Sequence, residues 1–253
     1  MCLILFAHQA CQDYPLLVAA NRDEFHARPT AAATFWEDQP QVFAGRDLQA
    51  GGTWLGVDRS GRFAAITNFR DPANTGPAAR SRGELTANYL TGSQSAEEYL
   101  RAIATIANQY AGFNLLLGEG EALWYFTNSA AGAQPQRLQP GIYGLSNARL
   151  DTPWPKVVAG KQRLRRELAT TPSHQGLARA VSSRELASNA QLQDQALDGE
   201  MERLLSAQFI VSPHYGTRAT TTLIKDASGT ICCREVSFSP AGDATGETST
   251  SLP

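Results

Sequence analysis

The sequence predicts an α+β fold, with antiparallel strands segregated from helices, on three observations. Short apolar runs joined by turn residues come first as a cluster of hairpins, then helical stretches follow, then more hairpins. No glycine-rich loop follows a strand, so no phosphate cradle of a doubly wound parallel sheet is present; the Gly-Gly pair at 51 and 52 precedes a strand and reads as turn chemistry. The chain has 253 residues and no linker or repeat before about residue 238, a length that one layered domain fills.

The elements follow in order. Residues 2–8 and 16–20 are β-rich apolar runs separated by Asp13 and Pro15, an opening hairpin. The second run passes straight into Asn21-Arg22-Asp23-Glu24, four polar residues where a core strand normally stays apolar. Residues 51–57 and 62–68 form another hairpin about the turn Asp58-Arg59-Ser60-Gly61. Residues 71–79 read as a Pro/Gly/Asn loop and 81–90 as a short helix. Ser95 and Glu98 are spaced as a capping box, followed by Tyr99, Ile103, Ile106 and Tyr110 at helical intervals. A hairpin at 113–117 and 122–127 and a strand at 141–145 come next. Val157, Val158, Leu164 and Leu168 mark a second long helix, and residues 173–207 read as mostly helical. Residues 218–225 and 230–238 make the last hairpin. The Gly, Thr, Ser, Pro and Asp of 239–253 predict a disordered tail, leaving a domain of residues 1–238.

Composition narrows the function. A formal charge of −2 supplies no basic field for a polyanion, which argues against nucleic acid or an anionic membrane surface as the main partner. No apolar run approaches the length of a membrane span, and no signal-peptide pattern opens the chain. Cys2, Cys11, Cys232 and Cys233 have no disulfide-framework spacing and read as thiols of a reducing, cytoplasmic compartment. No metal-ligand spacing is present, so no metal site is expected.

The chemistry concentrates at the N-terminus. Removal of Met1 would leave Cys2 with both a thiol and a free α-amine. An α-amine ordinarily titrates at about 7.7–8.0, so it can take the thiol proton near neutral pH without a histidine. A guanidinium nearby would favour the thiolate, and Arg22 on the next strand is the natural source. Asp23 can hold the amine. Asn68 and Asn147, at strand ends, can offer amide donors to an oxyanion. Each residue also has a plainer reading. Cys2 can be an ordinary strand residue, Arg22, Asp23 and Glu24 a sheet-edge ion cluster, the two asparagines turn caps, and Arg218 a surface charge. Cys2 with His8 or His214 is a weaker, papain-like alternative, without the flanking signature.

Eight stretches carry a family resemblance: Met1-Cys2, Asn21-Arg22-Asp23-Glu24, Gly51-Gly52-Thr53-Trp54-Leu55-Gly56, Thr67-Asn68-Phe69-Arg70, Ser81-Arg82-Gly83, Gly112-Phe113-Asn114-Leu115-Leu116, Tyr143-Gly144-Leu145-Ser146-Asn147 and Tyr215-Gly216-Thr217-Arg218. Together they resemble the NRDE family, also called the transport and Golgi organisation protein 2 family. That family in turn resembles the N-terminal-nucleophile hydrolases. The resemblance implies a four-layer αββα sandwich of two antiparallel sheets. From the bile-salt and penicillin V acylase group it implies a catalytic set of Cys2, Arg22, Asp23, Asn68, Asn147 and Arg218, and cleavage of a small or lipophilic amide through a thioester. Asn21, Glu24, Trp54, Arg70 and Arg82 are the accompanying ligand-binding candidates. Catalysis of this kind needs no cofactor. The acylases place extra residues between their Arg and Asp. Here the two are adjacent, so alternation predicts that only one faces Cys2 unless the strand has ended or bulges. The resemblance also implies an alternative, a carrier of haem or acyl-CoA. Haem would then be a transported ligand, with His8, His214 and Cys2 as candidate axial ligands and Arg22, Arg70, Arg82 and Arg218 as partners for propionate or phosphate.

Overall fold

The computed structural model describes residues 2–70, 78–130, 132–193 and 199–253. Three hairpins open the chain: β1 (Cys2–His8) with β2 (Leu16–Phe25), β3 (Thr30–Phe35) with β4 (Val42–Asp47), and β5 (Leu55–Asp58) with β6 (Phe63–Asn68). Helices α1 (Gly83–Thr91) and α2 (Ala96–Ile106) precede strands β7 (Phe113–Glu119), β8 (Ala122–Thr127), β9 (Gln136–Arg137) and β10 (Gly141–Leu145). Then come α3 (Pro155–Leu168), α4 (His174–Ala180), α5 (Asn189–Gln193) and α6 (Glu200–Leu205), and finally β11 (Tyr215–Lys225), β12 (Ile231–Phe238) and β13 (Ala244–Leu252).

All strand pairs are antiparallel, in two sheets ordered β10-β1-β2-β11-β12-β13 and β3-β4-β5-β6-β7-β8-β9. Alternation along β1 and β2 generates the layers. Ile4, Phe6, Val18 and Ala20 meet Val57, Phe63, Ala65 and Leu116 of the second sheet. Leu3, Leu5, Leu17 and Ala19 face the other way, onto Val157, Leu164, Leu177 and Ala180 of α3 and α4. Helices α1 and α2 cover the far face of the second sheet through Leu85, Tyr89, Leu90, Leu100 and Ile103. The result is the expected αββα sandwich. It explains why β1 and β2 are apolar on both faces: each is a central strand covered on both sides. No helix among the described residues is long and apolar enough to cross a membrane.

Local signals are realised where side chains act on their own backbone. Ser95 and Glu98 form the reciprocal capping box. Gly51 takes φ +75°, and a Cβ on Gly52 would come within 2.3 Å of the Gly83 backbone, so this pair does serve a turn and a close crossing. The strand here is shorter than read, starting at Leu55. Two strands, β3 and β4, form in a stretch to which the sequence assigns no element. The described residues of region 173–207 carry three short helices with residues 181–188 outside them, and the loop expected at 71–79 lies mostly outside the described residues.

The expected disordered tail is corrected. Residues 244–252 form β13 and pair with β12 along its length, Ile231 opposite Leu252 and Val236 opposite Glu247. Composition predicted disorder because Thr, Ser and Gly carry little apolar area. The unpaired edge of β12 supplies the backbone partners instead, and Leu252 closes the inter-sheet core.

Candidate active site

Register brings the two ends of the N-terminal motif together. Cys2 lies directly opposite Arg22 in the β1–β2 ladder, so both side chains project from the same face, toward the second sheet. The Arg22 guanidinium lies 4.2 Å from the centre of the Trp54 ring, donates to Thr30 Oγ1 at 3.0 Å, and sits 4.0 Å from Glu24. Trp54 is held in turn by Gly45, where a Cβ would fall 2.1 Å from the indole. Arg22 is thus clamped on a flat aromatic surface with its charge beside Cys2.

Asp23 does point to the opposite face, as alternation requires. The strand has not ended there, since β2 continues to Phe25. The irregularity lies on the partner, where β11 shifts register between Thr217 and Ala219. Asp23 still bears on Cys2: its charge raises the thiol pKa and its backbone N–H lowers it. Its carboxylate accepts from Thr217 Oγ1 at 2.6 Å, and Tyr215 Oη donates to its carbonyl at 3.0 Å. Adjacent Arg and Asp therefore both bear on one sulfur from opposite faces, the Arg22 charge favouring the thiolate and the Asp23 charge opposing it.

The electrostatics follow from burial. Cys2 is half-buried, and burial pushes its thiol pKa up; the chain's amino-terminal charge and Arg22 pull it back down, and Asp23's charge opposes them. Burial likewise raises the Asp23 carboxyl, countered by the amino-terminal charge, Lys156, the Thr217 hydroxyl and Arg22 in that order. Burial lowers Arg22, Arg82 and Lys156, and raises Tyr215, which also feels Asp23 and Cys2.

The second sheet meets this cluster through the loop after β10. Ser146 Oγ lies 3.0 Å from the Cys2 carbonyl and 3.2 Å from Asn147 Oδ1, and Asn147 Nδ2 donates to the Asn68 carbonyl at 2.9 Å. Asn114 and Thr67 fix that loop by bonding the Ser146 carbonyl. Asn68 and Asn147 are thus both brought to the Cys2 end of the sandwich. One Asn147 proton is committed to Asn68, whereas the Asn68 side-chain amide makes no hydrogen bond among the described residues.

A profile of the Transport and Golgi organisation 2 family matches residues 1–240. The chain belongs to that family. The Bos taurus Transport and Golgi organization protein 2 homolog is 36% identical over 275 residues, spanning 99% of this chain and 98% of the relative. The Homo sapiens homolog is also 36% identical, over 94% and 93%. Among solved structures, a Caenorhabditis elegans N-acylethanolamine-hydrolyzing acid amidase ortholog superposes with TM-score 0.52 at 8% identity, covering 88% of this chain and 92% of that one. A mutant conjugated bile acid hydrolase from Clostridium perfringens gives 0.50 at 10% identity, covering 99% and 92%. This chain therefore shares the fold of these two hydrolases.

Other candidates of this family member resolve into different roles. Asn21 is a structural tie: Nδ2 donates to the Val181 and Gln208 carbonyls at 2.7 and 2.8 Å, and Oδ1 accepts from Thr220. It is 1% exposed and has no donor left for a ligand, so its reading as a binding residue is corrected. Arg218 is no free surface charge; Nη1 bonds the carbonyls of Phe25, His26 and Arg28 and staples the turn leaving β2. Arg70 forms an ion pair with Glu202. Arg82 spends one bond on the Gly112 carbonyl, and its charge acts on Cys2 and Glu24. His8 stands at the far end of β1 from Cys2, opposite Leu16 and Gly141, so it can neither act as base to Cys2 nor share a haem iron with it.

Sequence reasoning missed Lys156, Thr217, Tyr215 and Ser146. Thr217 and Tyr215 belong to a motif in which the resemblance singles out only Arg218. Lys156 carried a signal of its own: a lysine in the first turn of a helix opposes the macrodipole, so something in the tertiary structure must hold it there.

Proposed function

We propose that this protein is an amide hydrolase that uses Cys2 as an N-terminal nucleophile on a lipophilic amide. The observation that carries it is the register that sets Cys2 opposite Arg22 on the face turned to the second sheet, with the guanidinium held flat on Trp54. The family's sandwich, like that of the acid amidase and bile acid hydrolase, supports the same reading. The amidase is named for hydrolysing N-acylethanolamine, which favours an N-acyl amide as the substrate class.

After Met1 is removed, the α-amine of Cys2 accepts the thiol proton. The sulfur attacks the amide carbonyl, and the C–O electron pair moves to oxygen, toward the amide of Asn68. Collapse expels the amine, which takes the proton held by the α-amine. A water then gives a proton to the α-amine and adds to the thioester carbonyl. The second collapse releases the acid and returns the proton to sulfur. Arg22 offsets the thiolate charge throughout. No step of this sequence calls for a cofactor.

Intact mass spectrometry tests this directly. The mature protein should lack Met1 and gain one acyl group from p-nitrophenyl acetate, and Cys2→Ala should gain none. Retention of Met1, or equal acylation of Cys2→Ala, would overturn the reading. Retention of haem or acyl-CoA without any acyl-enzyme would favour a cytoplasmic carrier instead.

A further inference from the structure

We propose that Tyr125 and Asn114 are positioning residues for the reaction at Cys2: they brace the turn after β10, which bonds both the backbone of the nucleophile and the residue that carries the oxyanion donor. This inference deepens the amide-hydrolase reading and rests on it.

Gly112-Phe113-Asn114-Leu115-Leu116 is the one stretch of the family resemblance without a candidate site residue, yet it sets an asparagine among apolar neighbours. Asn114 is 0% exposed and lies directly opposite Thr67 in the β6–β7 ladder, on the face turned to the first sheet. A buried primary amide must place two N–H groups and a carbonyl. Tyr125 Oη, from β8, donates to Asn114 Oδ1 at 2.8 Å. That bond turns the amide nitrogen the other way, toward the Ala148 carbonyl at 2.9 Å, Thr67 Oγ1 at 3.0 Å and the Ser146 carbonyl at 3.3 Å. Thr67 Oγ1 donates in turn to the Ser146 carbonyl at 2.7 Å, and Tyr125 Oη accepts from the Leu150 N–H at 3.4 Å. Residues 146, 148 and 150 of a single turn are thus held by side chains of the second sheet.

The same turn meets the reacting groups. Ser146 Oγ donates to the Cys2 carbonyl at 3.0 Å, which ties the nucleophile's backbone to the turn. Asn147 Nδ2 donates to the Asn68 carbonyl at 2.9 Å, and the Arg70 N–H donates to the Asn147 carbonyl at 2.7 Å, which ties the stretch carrying the oxyanion donor to it as well. Cys2 belongs to the first sheet and Asn68 to the second, so the place of this turn sets the separation of sulfur and amide. The path from Tyr125 through Asn114, Thr67 and Ser146 to Cys2 is hydrogen-bonded at every step, and its four outer members are buried. Bulk water therefore has no access to replace a missing link, and the turn shifts instead. A displacement of about 1 Å at the reacting groups costs roughly a hundredfold in rate, so a smaller shift still registers.

Tyr125→Phe in the full-length protein tests the proposal, because it removes one oxygen and keeps the ring. Two reactions of Cys2 are compared. Acylation by p-nitrophenyl acetate develops an oxyanion; alkylation by iodoacetamide, read on the Cys2 peptide by mass spectrometry, displaces iodide and develops none. The variant should acylate roughly tenfold more slowly, with KM and the alkylation rate each within about twofold of wild type. Amide hydrogen exchange at residues 147–150 should quicken in the same variant. Thr67→Val, which removes the next hydroxyl at nearly constant volume, should repeat the pattern and serves if the phenylalanine variant does not fold. A variant that acylates as fast as wild type overturns the proposal. So does an equal fall in acylation and alkylation, which marks a general loss of structure or access rather than of positioning. Absence of acylation in wild type would instead overturn the hydrolase reading; the exchange arm still reports on the brace, and unchanged exchange at residues 147–150 would overturn that.

Discussion

Replacing Asn21 distinguishes a structural tie from a ligand contact within the motif that carries the family resemblance. Its side chain satisfies two backbone carbonyls, of Val181 and Gln208, and one hydroxyl, of Thr220. All three sit in the layer between the first sheet and the chain that crosses it. Asn21→Ala leaves them without a partner in a space too tight for bulk water. Each buried polar group so stranded costs about 1–3 kcal/mol, and allowing for relaxation of the hydroxyl the sum is about 3–6 kcal/mol. A domain of this size holds roughly 5–15 kcal/mol of stability, so the variant should sit near the folding threshold. The melting temperature should fall by about 10 °C or more. Asn21→Asp should do worse, because it aims a carboxylate at two carbonyl oxygens. Urea unfolding followed by tryptophan fluorescence gives the stability, and acylation of Cys2 gives the site. The expected outcome is a large loss of stability with near-normal reactivity in the folded fraction. A variant as stable as wild type that no longer acylates Cys2 would refute the assignment and return Asn21 to the binding site.

Arg22→Lys should lower Cys2 acylation at neutral pH by roughly tenfold with little loss of stability, because a point charge cannot lie flat on Trp54 and reach Thr30 together; a pH–rate profile should show the thiol limb moved upward. Gly45→Ala should mimic that loss from a distance by displacing Trp54, at a cost of about 1–3 kcal/mol measured by urea unfolding. Arg218→Met should speed hydrogen exchange in residues 25–28 while leaving Cys2 reactive, since its bonds go to that turn; lost acylation without faster exchange would restore the catalytic role implied by resemblance. Glu235 is 2% exposed, accepts from the Ala33 N–H and Thr221 hydroxyl, and burial raises its pKa. The folded state therefore binds its proton more tightly than the unfolded state, so this residue favours folding below the ordinary glutamate pKa and loses that contribution as pH rises through the folded value. Glu235→Gln should raise the melting temperature at neutral pH relative to wild type and flatten this part of the pH dependence; an unchanged difference between acid and neutral pH would count against it.

The periodicities of this chain, its capping box and its turn residues are local properties, and the strands of the first and third hairpins, the helix after Ser95 and the α+β class were legible from them, whereas the four-layer sandwich was implied by the family resemblance. The nearness of Arg22 to Cys2 was legible too, from an antiparallel hairpin of residues 2–8 and 16–20 whose second strand runs on into Arg22, while their direct register was set by the fold. Tertiary structure alone decided three matters, and each is a contact between residues far apart in the chain. The tail became a strand because β12 offered it an unpaired edge. Asn21 became a tie and Arg218 a staple because the carbonyls they bind belong to other segments. Lys156 is buried beside the first sheet because α3 packs over β1 and β10. A side chain's type states which bonds it can make, but its burial and partners depend on the whole fold, and those determine whether a polar residue in a motif is spent on structure or left for chemistry.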